Sequence, residues 1–108
     1  MSPDFTFYTD AYYGDVIPES QFVPCMARSR VALQHFDQVY QVSGGEEERK
    51  LALCAMAEVI CRDRRRGGVV KARVGDVSVE YAAEAYLQLW RELYDAAATY
   101  LTICRGVA

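Results

Sequence analysis

The chain has 108 residues, 52% of them hydrophobic and 25% charged, with a formal charge of −3. These figures suit a single packed domain over residues 1–108 and exclude wholesale disorder. No apolar run approaches the roughly 18 residues of a membrane span. The opening MSPDFTFYTD also lacks the basic and apolar regions of a secretory signal, so the chain is expected to stay in the cytoplasm where it is made.

The modest net charge hides a strong polarity. Arg62, Arg64, Arg65, Arg66, Lys71 and Arg73 face a single acid, Asp63, so residues 62–73 carry +5 and the remainder of the chain carries −8. A basic stripe of this kind keeps an acidic protein face or a nucleic-acid phosphate backbone open as partner.

Residues 1–17 form an aromatic arm, with Phe5, Phe7, Tyr8, Tyr12 and Tyr13. It shows no convincing period. Thr9 or Asp10 is a candidate cap for one short helical turn, and the rings are expected to pack on the body or on a neighbour. Pro18-Glu19 is a good helix start. Pro24 lacks the N–H that a regular helix uses. The expectation is therefore a short turn over Pro18–Phe22 and then a helix from about Pro24 to Val39. Ser43-Gly44-Gly45 breaks it.

Glu46, Glu47 and Glu48 then sit where a helix dipole favours carboxylates. The helix that follows runs to about Arg64, and its middle, LALCAMAEVIC, is apolar nearly all round apart from Glu58. That composition marks a central, buried element. Gly67-Gly68 ends it. Val69 to Tyr81 reads as two short strands around Gly75-Asp76, since Val77-Ser78-Val79-Glu80-Tyr81 alternates strictly. A last helix is expected from about Ala83 to Thr102, where Tyr86, Leu87, Trp90, Leu93, Tyr94, Ala97, Tyr100 and Leu101 make a wide apolar stripe. Residues 103–108 read as a tail. The expected fold is thus mainly α: a small bundle of three main helices with a short β-hairpin at 69–81, between the second and last of them.

Little in this sequence points to catalysis or to a cofactor. Cys25, Cys54, Cys61 and Cys104 form no CxxC pair, and His35 is the only histidine, so the spacing of a zinc site is missing. The cysteines read as small core residues. His35 reads as a surface residue. Glu58 could serve as a base of raised pKa, but a carboxylate on such a helix more often pairs with an arginine or reaches water. The double glycines lack the patterns of phosphate loops. No catalytic residue, metal or cofactor is expected.

The central KLALCAMAEVICR, the later VGDVSVEY and the closing LYDAAATYL followed by CRGV together resemble the head–tail connector (adaptor) proteins of long-tailed bacteriophages and prophages. The opening YTDAYYGDVIPE and then ARSRVALQHFDQV look like the start and first long helix of that family. The resemblance covers nearly the whole chain in order. It implies a structural virion protein without enzymatic activity, made in the bacterial host cytoplasm and built into the neck. Copies would form a ring, commonly a dodecamer, between the portal protein and a tail or stopper protein. Packaged DNA would pass through the centre, and no membrane would be involved. The resemblance also implies that Val77, Val79 and Tyr81 lie in an extended segment used in ring contacts, and that Arg105 and Gly106 belong to the segment that docks on the portal.

Two alternatives stay beside this expectation. One is a small nucleic-acid-binding regulator that uses the Arg62–Arg73 stripe, although no helix-turn-helix or zinc-finger pattern offers base readout. The other is a small hydrolase or transferase built on Glu58 or His35.

Overall fold

The computed structural model describes residues 3–65 and 79–104. In chain order these form α1 (Phe5–Asp10), α2 (Glu19–Val39), β1 (Gln41–Ser43), α3 (Glu46–Arg65), α4 (Val79–Tyr100) and β2 (Thr102–Cys104). The protein is a small, mainly helical bundle, as the sequence pattern implies, and among the described residues it carries one two-stranded antiparallel element.

The centre of the bundle is α3. Its apolar run leaves every residue from Ala52 to Cys61 buried, because α2 and α4 both pack on it. The helix begins directly after Gly44-Gly45 with three exposed carboxylates in its first turn, the favourable sense for the helix dipole. Asp37 near the end of α2 accepts two hydrogen bonds from the Arg49 guanidinium, at 2.7 and 3.3 Å. This bidentate pair and the short connection fix α2 antiparallel to α3.

The helix α2 is continuous from Glu19 to Val39 with Pro24 inside it, so the expected break at Pro24 does not occur. Pro24 removes one donor, the partner of the Ser20 carbonyl. Ser20 is exposed, so water can satisfy that carbonyl and the loss costs little. Buried Phe22, Cys25, Met26 and Ser29 hold the helix against the core on both sides of the proline.

The arm is also more regular than its sequence suggests. Asp4, rather than Thr9 or Asp10, caps α1, its carboxylate accepting from the Phe7 N–H at 2.8 Å. Thr9 instead donates to the Thr6 carbonyl from within the helix. The chain then turns back through Tyr13, whose φ of 60° is left-handed. The Gly14 N–H donates to the Tyr8 carbonyl at 2.9 Å. Gly14 has no room for a side chain, because a Cβ there would meet the Tyr8 ring.

Two aromatic clusters close the ends of the bundle. Around α1, Tyr8 lies 5.6 Å from Phe22 and stacks on Tyr12 at 5.7 Å. Between α2 and α4, Phe36 meets Trp90 and Tyr94 edge-on, at 5.7 and 5.9 Å. Both are the offset or T-shaped geometries that ring quadrupoles favour.

The β-ladder is not the segment the alternation suggested. β1 pairs antiparallel with β2, Gln41 opposite Cys104, Val42 opposite Ile103 and Ser43 opposite Thr102. The end of α4 is thereby tied to the α2–α3 connection. Ile103 and Cys104 are strand residues rather than tail. Residues 66–78, with most of the expected hairpin, lie outside the described residues. The last part of the alternating run is described, and it is helical: Val79, Glu80 and Tyr81 are the first residues of α4. Five alternating residues are a weak strand signal beside Glu80 and Glu84, which suit a helix N-terminus, and Ala82 and Ala83, which favour helix.

Candidate functional site

The described part of the basic stripe is the C-terminal turn of α3. Arg62 is exposed, Arg64 is half-buried and Arg65 is the last helical residue. Arg66, Lys71 and Arg73 lie outside the described residues, as do Val77, Arg105 and Gly106. Val79 and Tyr81 take helical backbone rather than the extended form expected of ring-contact residues. At the opposite end of α3 stand Glu46, Glu47 and Glu48, all exposed. A helix of 20 residues is about 30 Å long at 1.5 Å per residue. One rigid helix therefore presents a triple-acid pole and an arginine pole at its two ends.

The arginine pole is joined to the core through Glu58. This carboxylate is 8% exposed. Its Oε2 accepts from the Tyr8 hydroxyl at 2.9 Å, and its Oε1 from the Tyr12 hydroxyl at 3.2 Å. Arg62, one turn on, comes within 3.6 Å of Oε1. The Tyr8 oxygen in turn accepts from the Val16 and Ile17 N–H groups, both at 2.9 Å. A single buried phenol thus donates to the carboxylate and accepts from two backbone amides. It fastens both limbs of the arm, α1 and residues 16–17, to the middle of α3.

This environment shifts the surrounding acids. Burial pushes the Tyr8 hydroxyl up from 10.0 to about 12, with the Glu58 charge adding to the shift and the two backbone N–H groups opposing it. Tyr12 rises further, again through burial first and then the Glu58 charge. Burial and then Glu58 also lift the Cys54 thiol from 9.0 to about 12. All three groups hold their protons at neutral pH, and both phenols are hydrogen-bond donors to an acceptor carboxylate. A general base needs an approach for substrate. Glu58 instead has its oxygens engaged by two tyrosines and an arginine under a packed arm, which is a structural clasp.

The Glu58–Arg62 pairing follows from i,i+4 spacing and the expectation for Glu58. The two tyrosine partners do not follow from that spacing. No local signal pairs them with the carboxylate, because Tyr8 lies on α1 and Tyr12 in the turn after it, fifty and forty-six residues before Glu58. His35 is exposed, its ring 5.2 Å from that of Trp90, and no described acid or nucleophile is hydrogen-bonded to it. Among the described residues no group of three or more metal-binding side chains comes together, and no helix is long and apolar enough to cross a membrane. Comparison with protein-family models, with curated proteins and with solved structures finds no match for this chain.

Proposed function

We propose that this chain is a structural virion subunit, a head–tail connector. It assembles head to tail into a ring between a portal and a tail or stopper protein, with DNA passing through the centre. The ordered resemblance along the chain supports this reading. The observation that carries it is the pair of opposite charge poles on α3. An interface that closes a ring is heterologous, one patch meeting a different patch of the next copy. A subunit with an acidic pole and a basic pole about 25 Å apart has two such patches, and complementary charge sets their orientation. The clasp at Glu58 holds Arg62, one residue of that second patch, one turn further along α3.

Charge reversal tests this reading. One variant changes Glu46, Glu47 and Glu48 to lysine; the other changes Arg62, Arg64 and Arg65 to glutamate. Each alone should fail to assemble, because both of its poles then carry one sign. An equimolar mixture should assemble again as alternating rings, and added salt should weaken the effect. If the arginine variant only loses DNA affinity and mixing restores nothing, the chain is a nucleic-acid-binding regulator instead.

A further inference from the structure

The α2–α3 seam holds a pair of thiols that none of the roles above uses. Asp37 and Arg49 are held level with one another by their bidentate ion pair. The helices run antiparallel, so a step down one is a step up the other. Cys25 lies twelve residues before Asp37, and Cys61 twelve residues after Arg49. The two cysteines are therefore level, on the buried sides of their helices, at 0% and 2% exposure. By the same register Ser29 stands level with Ala57, and both are fully buried. Small side chains at successive levels let two helix backbones approach closely. The Cys61 thiol lies beside that of Cys25, and the guanidinium charges of Arg64 and Arg28 act on the same sulfur.

We infer that Cys25 and Cys61 form an oxidation site, a dithiol that a peroxide converts to an intramolecular disulfide stapling α2 to α3. The chemistry balances in two steps. A thiolate attacks one peroxide oxygen, the O–O bond breaks, and a sulfenic acid and water result. The second thiol then attacks the sulfenic sulfur, forming the S–S bond and releasing a second water. The two sulfurs lose two electrons in total, and the peroxide gains them. Burial first, and then the neighbouring Cys61, push the Cys25 thiol up from its ordinary value, and the Arg64 and Arg28 charges oppose that rise. Cys54 shares α3, but by the same register it stands level with Ala32, seven residues along α2 from Cys25, so it is not the reacting partner. A staple here closes a loop of about 36 residues in the unfolded chain, and it should raise the thermal midpoint by about 10 °C or more.

The test uses the reduced full-length chain and hydrogen peroxide, followed by alkylation under denaturing conditions and mass spectrometry. The expected product is about 2 Da lighter before alkylation and takes two fewer alkyl groups. It yields one Cys25–Cys61 cross-linked peptide, melts at higher temperature, and reverts with dithiothreitol. Cys61→Ser and Cys25→Ser should abolish the cross-link, while Cys54→Ser should keep it. The wild-type peptide map decides the matter even if a serine variant folds poorly. A cross-link through Cys54 or Cys104, an intermolecular disulfide only, or oxidation of single thiols to sulfinic acid without any cross-link would overturn the inference.

Discussion

Tyr8→Phe removes one oxygen atom from the core and leaves the ring packing in place. That oxygen makes three hydrogen bonds, each 2.9 Å long: one donated to Glu58 and two accepted from Val16 and Ile17. Losing a hydrogen bond to a charged acceptor costs about 1.5–3 kcal/mol, and depriving a buried N–H of its acceptor about 1–3 kcal/mol. Ile17 is 3% exposed and bears that second cost; Val16, at the rim, is assigned none. The sum is about 2.5–6 kcal/mol, a large part of the roughly 5–15 kcal/mol that holds a domain of this size together. Tyr12→Phe is the internal control. It deletes a longer bond of 3.2 Å to Glu58 and a contact with the Tyr100 hydroxyl at a half-buried site, worth about 0.5–1.5 kcal/mol because the site is open to water. Urea unfolding measures both. At about 1.5 kcal/mol per molar for the urea dependence, Tyr8→Phe should lower the midpoint by about 2–4 M and Tyr12→Phe by less than about 1 M. A Tyr8→Phe loss below about 1 kcal/mol, or one no larger than that of Tyr12→Phe, would refute the clasp.

The same cluster sets a response to alkali. Tyr8 and Cys54 lose their protons near 12 when folded but near 10.0 and 9.0 when unfolded, and Tyr12 is shifted in the same sense. Above pH 9 the unfolded chain therefore binds fewer protons than the folded one, so stability is complete below that pH and falls as pH rises toward 12. Urea midpoints from pH 8 to 11 should decline, less steeply in Tyr12→Phe; a flat profile would contradict the burial of these groups. Gly14→Ala drives a methyl against the Tyr8 ring and should cost about 1–3 kcal/mol, read as a lower thermal midpoint and faster proteolysis of the arm. Gly45→Ala meets only the flexible Glu48 side chain and should cost less.

Periodicity carried the long elements and failed on the short ones. The apolar run of α3 and the three- and four-residue steps of α4 span several turns each, so their helical state and burial were legible. Pro24 misled because a missing donor near a helix start is cheap when the orphaned carbonyl faces water. The alternation misled at Val79–Tyr81, its described part, because so short a run fits two periods, and the glutamates and alanines that decide between them belong to α4. The β-ladder joins residues some sixty positions apart, and local pattern says nothing about such pairings. For the clasp, Glu58 was legible as a carboxylate out of place. Its partners were hidden because an arm with no long period gives no hint of which face it buries. The charge poles were the most legible part of the candidate site, since charge segregation survives as sequence order once α3 is known to be one helix.

The central claim is that copies of this chain meet head to tail and close a ring around a channel. Electron microscopy of the concentrated protein, alone and mixed with a portal protein encoded beside it, measures this directly. The account predicts closed rings with a central channel wider than the roughly 20 Å of duplex DNA, seated coaxially on the portal, with the acidic pole of each α3 against the arginine pole of its neighbour. Monomers throughout, or two-fold dimers in which like poles meet, would contradict it.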